Sequence, residues 1–335
     1  MVLAGLLAGM SVLALGAQQN TPAGARNIVR ISKYIISVSN AERSAAFYQG
    51  AFGIPFANGA TALPPSQPVP DLVQALTSVK APAMFRATLF AIPGAADDFV
   101  FEQTEFIGPP RPTERPRMQD PGASFLVLNV RDLDAAIAAV KRLGGRIVST
   151  GEQPVANNGN RAVFAADPDG AFIEMIQPPT VPPAGASKSL VFGSPRVAFV
   201  VADAEKAGQF YRDTFGFEVR MPGPWNEDQR MAGLPGLPGS KVRSATVTVP
   251  GKTLSWQFYE YGGLPRTPYV RNVPDPGAPA VGFEVRDTAA ALAAIKAGGG
   301  SVVSAGGKPV EGRNLAFARD QHGVLLEVIQ VAPKP

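Results

Sequence analysis

The chain has 335 residues, 45% of them hydrophobic, which is enough material for two cores of ordinary size. The formal charge of +4 comes without a dense run of Lys or Arg. The basic stretch "PPRPTERPR" (109–117) is Pro-rich and lacks interleaved aromatics, so it reads as solvated surface and no nucleic-acid partner is expected. The chain has no cysteine, which excludes disulfides, thiolate metal sites and cysteine nucleophiles.

In chain order, the first feature is "MVLAGLLAGMSVLALGAQQ", an apolar run too short to span a bilayer comfortably. It ends in small residues before a polar "NTPAGA", the pattern of a signal peptide and leader over residues 1–25, although no Lys or Arg precedes Arg26. Export to the periplasm or medium is the expectation, with no stable membrane span once the signal is cleaved. "YIISV" (34–38) is strand-like, Asn40 can cap the helix that follows, and Gly53 stops it. An insertion (57–84) precedes the next strands. "FLVLNV" (125–130) is a strand and Asp132 the next cap. Leu133, Ile137, Val140 and Leu143 then fall on one helix face before Gly144 and Gly145. "RIVST" (146–150), "RAVFAA" (161–166) and "AFIEMIQ" (171–177) follow as strands, the last two joined by a "DPDG" turn.

The chain then repeats itself. "NAERSAAFYQGAFG" (40–53) matches "DAEKAGQFYRDTFG" (203–216). "DPGASFLVLNVRDLDAAIAAVKRLGG" (120–145) matches "DPGAPAVGFEVRDTAAALAAIKAGGG" (275–300), and "FIEMIQ" matches "LLEVIQ", placing Glu174 on Glu327. Two homologous domains follow, 28–178 and 191–332, joined by a Pro-, Gly- and Ser-containing linker at 179–190. Each half divides again, giving four strand–helix–strand–strand–strand modules paired two by two, an α+β fold. A second insertion (221–241) precedes a strand pair as the first does, and both are placed to form lids. Glu174 is conspicuous: an unpaired carboxylate in so apolar a strand costs several kcal/mol, so it must be neutral, paired or bound to a metal.

Four βαβββ modules, with "FYxxxFG" after the first helix and "DPDGxxIExIQ" at the end, resemble the vicinal oxygen chelate superfamily, the glyoxalase, bleomycin-resistance and extradiol-dioxygenase group. The resemblance implies cup-shaped sheets, each closed around a cavity by a module pair. It further implies a divalent metal held by four positions, often two His and two Glu. Here those positions fall on Lys33, Glu102, Phe125 and Glu174 in the first half, and on Arg196, Gln257, Ala280 and Glu327 in the second. Lys and Arg are cationic donors, and Phe and Ala offer no lone pair. No metal or other cofactor is therefore expected. His322, the one histidine, reads as a solvated turn residue.

In place of the metal, a Lys33–Glu174 salt bridge and an Arg196–Glu327 salt bridge are expected. The alternative leaves both cations in solvent and the glutamates on water or backbone donors. The leading functional expectation is a metal-independent binder of a small organic molecule, acting as monomer or homodimer. Candidate lining residues are Phe125, Phe172, Trp256, Glu102 and Gln257, with Lys33, Glu174, Arg196 and Glu327 as the charged groups; the aromatics read equally well as ordinary core. A second expectation is a metal-independent lyase- or isomerase-type enzyme, with Glu174 or Glu327 as general base. A third is a non-catalytic interaction module, and a conventional glyoxalase or dioxygenase ranks last. An open cavity with a free glutamate favours catalysis, one with paired charges favours binding, and a filled cup favours the interaction module.

Overall fold

The structure, a computed structural model, describes residues 27–96, 99–110, 112, 114–183, 189–248, 255–304 and 314–331. The apolar segment 1–25 and positions 184–188 of the linker lie outside these residues. No helix among the described residues is long and apolar enough to cross a membrane.

The first module contains β1 (Ile28–Val38), α1 (Ala41–Phe52), β2 (Gln67–Pro68), α2 (Asp71–Thr77), β3 (Met84–Phe90) and β4 (Val100–Ile107). The second contains β5 (Ser124–Val130), α3 (Leu133–Arg142), β6 (Arg146–Ile147), β7 (Val155–Asn157), β8 (Asn160–Ala166) and β9 (Phe172–Gln177). The third contains β10 (Val191–Val200), α4 (Ala204–Phe215), β11 (Glu218–Arg220), α5 (Gln229–Gly233), β12 (Lys241–Thr248) and β13 (Ser255–Gly262). The fourth contains β14 (Pro279–Val285), α6 (Thr288–Ala297), β15 (Ser301–Val302), β16 (Leu315–Arg319) and β17 (Leu325–Gln330).

Local chemistry fixes the helix ends. Asn40, Asp132, Asp203 and Asp287 each accept a backbone N–H of the first turn, and Gly53 and Gly216 end α1 and α4 at φ of 67° and 68°. The strand expected over "RIVST" is shorter: β6 stops after Ile147, and the chain turns at Gly151 (φ 66°).

The strands form one eight-stranded and one nine-stranded sheet. The eight-stranded sheet runs β15-β16-β17-β14-β1-β4-β3-β2, joining the first module to the fourth. The nine-stranded sheet runs β11-β12-β13-β10-β5-β9-β8-β6, with β7 on β8, joining the second module to the third. These are the two cups, and the expected pairing of neighbouring modules is corrected. Antiparallel β1–β14 and β10–β5 ladders close them, so each cup draws on both halves of the chain.

What holds the modules of one half together is the helical layer. α1 packs on α3 and α4 on α6. Two buried hydrogen bonds run the same way: the Tyr48 hydroxyl donates to Asp167 at 3.1 Å and the Tyr211 hydroxyl to Asp320 at 2.8 Å. The tyrosine of "FYxxxFG" thus binds the first aspartate of the "DPDG" or "DQHG" turn. Between helices and sheets lies one continuous core that includes Phe47, Phe101, Leu128, Met175, Phe199 and Phe283.

Candidate functional site

Side chains alternate across each strand, so every second residue faces the inside of a cup. On β9, Phe172 and Ile176 face inward with Glu174 between them, while Ile173 and Met175 join the helix-side core. On β13, Tyr259 and Tyr261 face inward in the parity of Gln257. Trp256 has the opposite parity. It is fully buried against Phe199, Tyr211 and Phe283, which corrects its expected place in a cavity.

Ladder register assembles the candidate positions. In the first cup Lys33 pairs across to Gly282, and Gly282 to Glu327, so the three form one row. In the second cup the matching row is Arg196, Val127 and Glu174. The structure thus brings Lys33, Glu102, Ala280 and Glu327 together in one cup, and Arg196, Gln257, Phe125 and Glu174 in the other. Lys33 does not meet Glu174, nor Arg196 Glu327; both expected salt bridges are corrected. Crossed module pairing is the cause.

In the first cup the Lys33 ammonium lies 2.9 Å from Glu102 Oε2 and 2.7 Å from Glu327 Oε2, the second contact poorly aligned as a hydrogen bond. Burial works to lower the Lys33 pKa, but attraction to Glu327 and Glu102 outweighs it and the pKa rises. Glu327 is raised by burial, with Lys33 opposing. A Cβ on Gly282 would stand 2.4 Å from Lys33 Cγ, so glycine is what lets the lysine cross the strand. Ile35, Ala280, Phe317 and Leu325 fill the rest of this cup, and α2 of the first insertion covers it with Leu72 and Leu76.

The second cup is open. Its cavity has about 130 Å³ of free space, lined by Asn157, Phe164, Glu174, Met231, Tyr259 and Tyr261 among others. Met231, Leu234 and Leu237, from α5 and the turn after it, form the cover over this cup, so the second insertion also acts as a lid. Glu174 is 8% exposed and has no hydrogen-bond or ion-pair partner among the described residues. Burial pushes its pKa up to about 7, partly countered by Arg196. Phe125 packs edge-on to Phe164 and beside Tyr259. A groove sharing Asn157, Met231, Val242 and Tyr259 continues outward past Arg220 and Arg243. Arg243 is tied to Glu260 at 2.9 Å, whereas Arg196 and Arg220 meet no carboxylate within ion-pair distance among the described residues.

The metal that the family resemblance implies does not fit these donors. In the first cup an ammonium stands between the two carboxylates. The second offers one carboxylate and one amide beside a guanidinium and a phenyl ring. Among the described residues no three His, Cys, Asp or Glu side chains converge. His322, expected in solvent, is half-buried beside Phe210, with its Nε2 fully covered.

Sequence reasoning missed Tyr259, Tyr261, Asn157 and the lid residue Met231. The two tyrosines were within reach, since they lie two and four residues beyond Gln257 on one strand. Asn157 and Met231 belong to a short edge strand and to an insertion whose sequence differs strongly from that of the first, so no repeated pattern marks either residue.

The family model for the Glyoxalase/Bleomycin resistance protein/Dioxygenase superfamily matches residues 30–175 and again 193–328. A search of curated proteins found no match. Among solved structures, glyoxalase I from Zea mays aligns with a TM-score of 0.57 at 19% identity, covering 90% of this chain and 92% of its own. A putative dioxygenase from Bacillus subtilis subsp. subtilis str. 168 aligns at 0.53 and 13% identity, covering 92% and 87%. At such identities the likeness is one of fold.

Proposed function

The chain belongs to the Glyoxalase/Bleomycin resistance protein/Dioxygenase superfamily, and from that premise we propose that it binds a small organic molecule in its second cup, without the divalent metal of many relatives. The observation that carries this reading is the open cavity itself, walled by aromatic side chains and entered by one buried carboxylate, Glu174. That this carboxylate has no partner among the described residues is what favours the catalytic reading given next, for which binding is the first step. A cavity of that kind, apolar with a few polar groups to orient the occupant, is the usual form of a ligand site. Tyr259 and Tyr261 add phenol donors beside the carboxylate. Among the described residues the first cup is packed and its charges are spent on one another, so binding is assigned to the second cup.

A second reading rests on the same residue. A glutamate whose pKa lies near 7 is matched to proton abstraction at neutral pH, with Arg196 placed to stabilise negative charge that develops beside it. Export of the protein is part of the proposal, on the strength of the apolar segment at residues 1–25.

A thermal-shift screen of small metabolites and antibiotics, followed by titration of the best stabiliser, tests the first reading. Glu174→Gln should weaken that compound at least about tenfold and Glu327→Gln should leave its affinity unchanged, about 1.4 kcal/mol separating the two. Equal affinities in both variants would remove the second cup as the site. Turnover that rises with pH to a plateau above pH 7, and vanishes in Glu174→Gln, would establish the catalytic reading.

A further inference from the structure

Where the two cups meet, a small hollow is lined by Phe199 and Val200 at the end of β10, by Tyr269 and Arg271 of the segment between β13 and β14, and by Arg319 and His322 at the β16–β17 turn. Its walls are held closely. A Cβ on Gly122 would stand 2.0 Å from the Tyr269 carbonyl oxygen, and a Cβ on Gly277 would stand 2.0 Å from Arg271 Nη1, so both glycines are required by close approach.

Arg271 is only 6% exposed. Its Nη1 donates to the Pro276 carbonyl at 3.1 Å and its guanidinium lies 4.9 Å from the Tyr269 ring centroid. Its Nε is buried without an acceptor, and so is His322 Nε2. Arg319 donates to the carbonyls of Gly323 and Arg271 at 2.9 and 2.6 Å. No carboxylate lines the hollow. Asp320 spends its oxygens on the Tyr211 hydroxyl and the His322 and Val324 amides, and Asp275 accepts from the Asn272 amide. Burial lowers the Arg271 pKa to about 10, with Arg115 adding further positive charge, and burial lowers Arg319 as well.

Asp275 draws on both guanidinium groups and Asp320 on Arg319, but among the described residues neither arginine makes an ion pair. Buried donors without acceptors, beside guanidinium groups that no carboxylate touches, are strongly unfavourable unless a bound species satisfies them. We propose that this hollow is a binding site for a single small anion of chloride size, held by Arg271 Nε, His322 Nε2 and the Arg319 guanidinium. The free space, about 10 Å³, is that of one water-sized body and leaves no room for sulfate or phosphate. A monatomic anion is slightly larger than water, so binding it requires the walls to widen by a few tenths of an ångström. Such an ion would join the segment leaving one cup to the turn that closes the other.

The test uses the full chain at constant ionic strength, with sodium gluconate exchanged for sodium chloride or bromide. Chloride and bromide should raise the Tm saturably, by about 2–4 °C. Sulfate should show only its general, non-saturating stabilisation. Arg271→Met should abolish the halide increment. His322→Phe, which keeps the ring packed on Phe210, should reduce it, and serves if the first variant fails to fold. Crystals grown in bromide should show an anomalous peak within hydrogen-bond distance of Arg271 Nε and His322 Nε2. A Tm that follows chloride no more than gluconate, or a crystal with water alone in the hollow, overturns the proposal.

Discussion

In the first cup Lys33 lies across Gly282 and reaches Glu327 at 2.7 Å; in the second, Val127 takes the place of that glycine, and Arg196 makes no ion pair with Glu174. The backbone plan, the ladder register and the late glutamate are the same in both. The rows differ at the middle residue, Gly282 against Val127, and in the polar groups around it, Lys33 and Glu102 against Arg196 and Gln257; cation and carboxylate meet only where the middle residue has no side chain. Where they do, the interior is packed and covered by α2. Where they do not, a cavity stands open with a carboxylate held near neutrality. A duplicated fold can thus keep one cup as a strut and the other as a receptacle.

The largest expected difference between the cups comes from removing the cations. Lys33→Met leaves buried Glu327 beside half-buried Glu102 without a counter-charge, and should destabilise by about 2–4 kcal/mol in urea denaturation at pH 7. Arg196→Met should cost less than about 1 kcal/mol, because no partner is left stranded. Equal losses would erase the distinction drawn between the two rows.

Next in size is the pH effect that Glu174 contributes in the second cup. The folded pKa of Glu174, about 7, lies above its ordinary 4.5, so the folded state holds an extra proton between those values. Its contribution to stability is therefore fullest at low pH and falls by about 3 kcal/mol as pH rises from 4.5 to 7. Glu174→Gln should remove that slope, which paired denaturation curves at pH 5 and pH 8 will reveal. A remaining slope is expected from Asp167, which burial also raises to about 7. An unchanged difference between the two pH values in the variant would mean that Glu174 is not the titrating group.

Smaller still is the effect of the row's middle residue. Gly282→Ala puts a methyl 2.4 Å from Lys33 Cγ and should cost about 1–3 kcal/mol by displacing the lysine. In the opposite direction, Val127→Gly should open a path for Arg196 toward Glu174 and lower the carboxyl pKa, as followed by NMR titration. A pKa that stays near 7 would assign the separation to something other than Val127.

The smallest change is expected from cutting the chain. Cleavage within 178–189 should leave one particle on size-exclusion chromatography, because each sheet contains strands from both halves. Separation into two independent fragments would contradict the crossed sheets.

The repeat, the caps at Asn40 and Asp132, the four modules and the oddity of a carboxylate at Glu174 were all legible in the sequence. They rest on local signals: spacing, side-chain chemistry at helix ends, and one charged residue in an apolar strand. Which module joins which was not legible. Internal similarity states that Glu174 and Glu327 are equivalent, not which cation either one faces; that depends on β1 pairing with a strand about 250 positions away, where loop-closure entropy rather than local preference sets the cost. Trp256 reads in the sequence as either cavity wall or core; strand parity forbids it from sharing a face with Gln257, so strict use of the period of two leaves the core and points to Tyr259 for the cavity. Gly282 and Val127 were visible as residues, but their meaning appears only once the register places each between a cation and a glutamate.

The Lys33 row also bears on how the chain is made. β1 is the first strand of the fold and β17 the last, yet both belong to the same sheet and meet through Lys33 and Glu327. During synthesis the first cup therefore stays half-built, with an exposed edge on β1, until the final strands have left the ribosome. The second cup is the earlier to close, because its last strand ends at Gly262. Contacts this far apart in sequence form slowly and leave open edges exposed for longer. A chain truncated before β14 would thus retain the cup with the cavity and lose the partner strands of β1, making that edge the place where a nascent or shortened chain would capture a strand from a second copy.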